Sequence, residues 1–178
     1  MPLAPRSQLP RLVPDAYRGL QFVHWSMTVT DRQHGWLTMP FLTNFRVVLT
    51  NVVTKYHVVV PAYCLMPDHL HLLAAGTTLE CDQLLWARAV RRAINRLLSP
   101  CKLQKQAYDH VLRPTEHGQD AFAALVSYIC ENPVRAKLVE NPEQWPYSGA
   151  CVPAVPAVDP RHTDFRETWW AYWHAVQE

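Results

Sequence analysis

Glycine is scarce: five residues in 178, and none stands in a G-x-G or G-x-x-x-x-G-K arrangement. That excludes the glycine-rich loops that cradle nucleotide phosphates, and with them ATP-driven chemistry of that type. C-x-x-C pairs are also lacking. The five cysteines, at positions 64, 81, 101, 130 and 151, are odd in number and have no zinc-ribbon spacing. This argues against a disulfide framework or a cysteine-based zinc site and for reduced thiols in the cytoplasm. No run approaches the roughly 20 apolar residues that span a bilayer, and the opening MPLAPRSQLP lacks the apolar segment of a signal peptide. No membrane association is expected. A strong charge excess is lacking as well: the formal net charge is +2 and the pI about 8.3, which permits a nucleic-acid partner without announcing one.

What is present is material for a core. Apolar residues make up 49% of the chain and seven residues are Trp, enough for one folded domain. The Pro-rich residues 1–16 read as a mobile arm, 17–150 as the domain, and 151–178 as a Pro-rich linker followed by a short aromatic helix. Within the domain, QFVHWSMTVT (21–30) reads as a strand and 40–55 as a helix. YHVVVPAYCL and HLHLLAA flank the short MPD connection and predict an antiparallel hairpin. In 80–98, Trp86, Val90, Ile94 and Leu97 share one helical arc opposite Arg88, Arg91, Arg92 and Asn95. QAYDHVLR (106–113) reads as a strand, and 117–131 as a helix interrupted at Asn132-Pro133. The order β-α-β-β-α-β-α predicts an α+β, ferredoxin-like antiparallel sheet with helices on one face.

Two constellations carry candidate chemistry. His69 and His71 are spaced i, i+2, so a strand places both imidazoles on one face, where two such rings can hold one divalent metal. Nine His in the chain make this spacing unremarkable by itself, and two strand histidines without a ligand is the competing reading. Ligand chemistry alone allows zinc or manganese. Tyr128 and Asn132, four apart, share a helix face. A phenol with a free pKa near 10 is a poor nucleophile at neutral pH unless a metal assists it. The plain alternative is a surface tyrosine and an asparagine that ends the helix before Pro133.

Taken together, AYCLMPDHLHLL, QAYDHVLR and YICENPVRAKLVENPEQWPYS, in that order over about residues 20–150, resemble the REP-associated tyrosine transposases, single-tyrosine members of the HUH endonucleases. The resemblance implies that His69 and His71 are the metal pair, that Asn132 completes the metal site, and that Tyr128 is the nucleophile. It favours Mg²⁺ or Mn²⁺. It implies cleavage and rejoining of single-stranded DNA beside a REP-like hairpin through a 5′-phosphotyrosine, by a protein that is nucleoid-associated when bound. Energy of the broken phosphodiester is kept in the tyrosyl link, so strand transfer is cleavage reversed. Two positions depart from the family: Lys137 stands where Gly is frequent and Asp68 where Asn is.

Given such a substrate, Arg88, Arg91, Arg92 and the neighbouring Arg96 read as phosphate contacts, with Arg135 and Lys137 near the scissile bond. A solvated helix face is the alternative for the first four. Trp169, Trp170 and Trp173 stack on bases or pin the last helix to the domain. Asp109 and His110 are candidate general bases. Both a monomer and a homodimer fit: a tyrosine helix packed on its own sheet needs one chain, an exchanged helix two. A domesticated hairpin-binding protein without cleavage activity, and a metal-dependent phosphoesterase for small substrates, are the competing functions. The scarcity of carboxylates near the motifs counts against the latter.

Overall fold

The structure, a computed structural model, describes residues 11–113 and 118–178. Most of the expected N-terminal arm and position 117 of the third predicted helix therefore lie outside the described residues. From Arg11 onward the chain is docked: Arg11 Nε lies 3.2 Å from Asp109 Oδ1, and the Tyr17 hydroxyl donates to the other oxygen of that carboxylate.

Five strands form one antiparallel sheet: β1 (Phe22–Thr28), β2 (Val58–Leu65), β3 (His69–Gly76), β4 (Tyr108–Val111) and β5 (Ser148–Cys151), in the spatial order β4-β1-β3-β2-β5. The first four have the expected ferredoxin-like connectivity. β5 was not expected; SGAC is too short and too poor in β-branched residues to signal a strand, and it forms by pairing with β2. β2 tolerates Pro61, which has no N–H to donate, because the register shifts there against both neighbours.

α1 (Met39–Tyr56) and α2 (Gln83–Leu98) cover one face of the sheet. α1 ends at His57, which adopts the left-handed conformation (φ 53°) and returns the chain directly into β2. α2 starts at Asp82, whose carboxylate accepts from the Leu84 and Leu85 N–H groups. Trp86, Val90 and Ile94 are buried against Trp25 and the other inward residues of β1 and β3, as the arc predicts.

The helices are not confined to that face. α3 (Gln119–Cys130), the single turn α4 (Asn132–Arg135) and α5 (Phe165–Gln177) follow, and α3 and α5 pack on the opposite side in a second core of Phe22, Leu73, Phe122, Val126, Trp169 and Trp173. Both faces of β2 and β3 are therefore covered, which explains why β2 is buried along its whole length and β3 from Leu70 onward, and why β2 reads as a continuous apolar run instead of alternating. Trp169 stacks on Phe122 at 5.3 Å and both are buried. Trp169 and Trp173 thus pin α5 and have no surface to offer a base. The segment before α5 is held too: Arg161 pairs with Asp159 and donates to the Trp145 carbonyl.

Among the described residues no helix is long and apolar enough to cross a membrane.

Candidate active site

The site lies on the α3 side of the sheet. In the β1–β3 register Ser26 faces His71 and Thr28 faces His69, so the side chains of His24, Ser26, His69 and His71 emerge on one side. β4 adds Tyr108 and His110 to that side, by pairing with Ser26 and His24. His69 and His71 therefore share a face, as expected. Their Nε2 atoms are 3.1 Å apart. That is the spacing of neighbouring ligands around one divalent ion with bonds of about 2.1 Å.

Each ring is held from behind. The hairpin turn before β3 ends in Asp68, whose Oδ1 accepts from His69 Nδ1 at 2.6 Å and whose Oδ2 accepts from Arg32 at 2.6 Å. Burial would raise the Asp68 carboxyl, but the hydrogen bonds from His69 and Arg32 outweigh it and hold the group below the usual carboxylate range. A carboxylate that accepts on both oxygens is what this position uses; the amide of Asn would accept on one only. His71 is held by a residue that no sequence motif marks. His24 Nε2 lies 3.0 Å from His71 Nδ1. Both rings are buried. Burial pushes His24 down to about 4, with the neighbouring His110 adding to the effect; burial, then His24, His69 and Arg135, push His71 down to about 3. Both imidazoles are therefore neutral at pH 7, the state that His71 would need in order to ligate a metal.

α3 brings Tyr128 over this row. Its ring centroid is 6.1 Å from those of both His71 and His24, edge-on to each. The tyrosine is 46% exposed. Arg135 folds back from α4: its guanidinium lies 4.3 Å from the Tyr128 ring centroid, donates to the Tyr128 carbonyl and pairs with Glu131.

Tyr128 and Asn132 do not belong to one continuous helix. α3 ends at Cys130 and Asn132 begins α4. Pro133 cannot donate to the Ile129 carbonyl four residues back, and Asn132 Nδ2 does so instead at 3.2 Å, while also reaching the Tyr128 carbonyl at 3.0 Å. The helix-ending role of Asn132 is thus real. These bonds use only Nδ2, and Oδ1 keeps its acceptor capacity for a cation. Among the described residues no group of three or more His, Cys, Asp or Glu forms a metal site. Two nitrogen donors converge here, the Nε2 atoms of His69 and His71.

The remaining expected residues fall into two groups. Lys137 follows α4, is exposed, and has φ 58°. A side chain in the left-handed region costs roughly 1–2 kcal/mol, which gives a physical reason for the glycine frequent at this place in the resembling family. Lys137→Gly is expected to raise stability by about 1 kcal/mol, read as an increased urea midpoint at constant slope. Arg88, Arg91 and Arg92 belong to α2, on the sheet face opposite Tyr128. Arg88 and Arg91 line a groove of about 400 Å³ with Arg11 and Lys105. Asp109 is on that side too, committed to Tyr17 and Arg11, so it is no base for chemistry at Tyr128; His110 is exposed on the site face.

No family model matches the chain. It is 25% identical over 145 residues to a protein of Haemophilus influenzae named as a REP-associated tyrosine transposase, covering 73% of this chain and 78% of that one. Its fold matches a solved REP-associated tyrosine transposase bound to a REP hairpin, with TM-score 0.65, 20% identity, and coverage of 80% and 81% of the two chains.

Proposed function

We propose that this chain is a REP-associated tyrosine transposase: a single-stranded DNA endonuclease and strand transferase that recognises a hairpin and works through a 5′-phosphotyrosine. The observation that carries the reading is the placement of the exposed Tyr128 ring against His71, whose Nε2 converges with that of His69. The similarity in sequence and fold to proteins of that name supports it.

His69, His71 and Asn132 would hold Mg²⁺ or Mn²⁺, which supplies charge neutralisation to a phosphodiester that otherwise repels nucleophiles. Asp68 keeps the His69 ring oriented with Nε2 toward the site. Tyr128 Oη attacks phosphorus in line, forming the O–P bond as the bond to the 3′-oxygen breaks. The 3′-hydroxyl leaves, and a 5′-phosphotyrosine remains for a second 3′-hydroxyl to reverse. Arg135, stacked on the attacking ring, places a fixed positive charge beside the phosphate. Because α3 packs on its own sheet, tyrosine and histidines come from one chain, and a monomer suffices for the chemistry.

The test is a 5′- and 3′-labelled single-stranded hairpin oligonucleotide with Mn²⁺, resolved on a denaturing gel. A protein-linked band carrying the 5′ end of the cut is expected. Binding without cutting would establish the domesticated hairpin binder instead.

The α2 groove serves affinity in this reading, because the sheet stands between it and Tyr128. Arg88→Ala with Arg91→Ala is expected to weaken hairpin binding and to reduce the slope of log K against log salt by about 0.7–0.9 for each phosphate no longer neutralised. Cleavage at saturating DNA should be unchanged. Equal slopes for variant and wild type would make these arginines a solvated face.

A further inference from the structure

Outside the residues that the reaction uses, the site holds a polar side chain with no assigned task. His24 is buried at 7% exposure in the middle of β1, where an apolar residue would pack at no desolvation cost. It is not a third ligand. It approaches Nδ1 of His71, whereas His69 approaches Nε2, on the other side of the same ring.

The contacts form one row: Asp68, His69, His71, His24. A carboxylate can only accept, so His69 carries a proton on Nδ1, and in the neutral ring Nε2 presents a lone pair. The contact between the two Nε2 atoms is then a hydrogen bond only if His71 is protonated on Nε2. His71 Nδ1 is in turn an acceptor, and His24 must donate to it from Nε2. For a row of neutral rings every proton is thereby assigned, and His71 points its proton at the place where an ion would sit.

We propose that His24 is the positioning residue of this site: it exchanges its role with His71 from donor to acceptor, so that the row converts from a closed hydrogen-bonded chain into one offering two Nε2 lone pairs to a divalent cation. The proposal rests on the metal reading of His69 and His71. In the exchange His71 loses its Nε2 proton and gains one on Nδ1, which it donates to His24 Nε2. His24 loses its Nε2 proton and gains one on Nδ1. Two protons leave and two are taken up, so no net proton is released. An apolar residue at position 24 would leave the buried Nδ1–H of His71 without an acceptor and favour the tautomer that cannot bind the ion. Partners behind a ligating histidine are typically worth 10- to 100-fold in metal affinity.

The test is long-range ¹H–¹⁵N correlation spectroscopy of imidazole-labelled protein at pH 8, above the ordinary imidazole range, with Zn²⁺ as a diamagnetic probe. Without Zn²⁺, His71 should be the Nε2–H tautomer and His69 the Nδ1–H tautomer. With Zn²⁺, His71 and His24 should both become Nδ1–H while His69 keeps its tautomer. His71 found as Nδ1–H before the ion is added overturns the exchange. Rings of His69 and His71 that ignore Zn²⁺ overturn the metal reading and the proposal with it, whereas rings that respond while His24 keeps its tautomer overturn the proposal alone. In parallel, His24→Phe should weaken Zn²⁺ binding by about 10- to 100-fold, and His24→Gln, which can accept at Oε1, should restore most of the loss. Equal affinity in His24→Phe and wild type would assign His24 to packing.

Discussion

Tyr128→Phe is expected to give a folded protein that binds hairpin DNA and never becomes attached to it. The substitution removes one oxygen from a half-exposed ring. The ring edges still face His24 and His71, and the Arg135 guanidinium still covers the face. The cost to stability is at most that of one hydrogen bond, on the order of 1 kcal/mol. Affinity should persist, because it comes from phosphate contacts and stacking elsewhere. Cleavage should fall to background, since Phe has no atom to form the bond to phosphorus. His69→Ala should also abolish cleavage, but through the ion, so raised Mn²⁺ should restore a part of it; no concentration should rescue Tyr128→Phe. Residual covalent linkage in Tyr128→Phe would direct attention to Tyr108, a phenol on the same face of the sheet, which is exposed on β4 opposite Ser26. Tyr147, by contrast, packs against the core under α1 and α2. Wild-type cleavage that leaves a free 5′-phosphate and no covalent band would assign the attack to water.

A second large effect is expected on acidification. Burial pushes His24 down to about 4 and His71 down to about 3 in the folded protein, below the 6.5 of an ordinary imidazole. A histidine with a depressed folded-state pKa binds its proton more readily in the unfolded chain. Its contribution to stability is complete above pH 6.5 and is lost as pH falls from there toward the folded values. Two buried imidazoles place a loss on the order of several kcal/mol in that window, a large share of a small domain's stability. Urea midpoints measured with EDTA should therefore fall steeply between pH 6.5 and 4.5, above the range where most carboxylates titrate. The doubly substituted His24→Phe, His71→Phe protein should show a much flatter profile in the same window. An equally steep loss in that variant would place the acid sensitivity in other groups.

Much of the scaffold was legible because it depends on local periodicity. The i, i+2 spacing of His69 and His71 sets a shared face in any strand, and the Trp86–Val90–Ile94 arc selects the buried side of α2 in any fold that buries it. The MPD turn specifies the β2–β3 hairpin from three residues. Likewise the step from Tyr128 to Asn132 could be read, although Pro133 splits the segment into α3 and α4 and turns the Asn132 amide into a helix-ending donor as well.

Tertiary structure decided what depends on long-range register. His24 is 47 residues from His71, and nothing in QFVHWSMTVT says which strand β1 will pair with or in which alignment. Only that pairing turns a single buried imidazole into a partner of the site. The same register sends Asp109 to Tyr17 and leaves His110 on the face of Tyr128. β5 exists only because β2 offers it an edge. Coverage of the second sheet face by α3 and α5 did leave a trace, the unbroken apolar run of β2 without period-2 alternation, but that trace marks a covered face and does not name the helix that covers it. The separation of the α2 arginines from Tyr128 follows from this layering: a helix pattern defines an inner and an outer side, whereas which side of a sheet the helix occupies is settled by how the strands connect and pack.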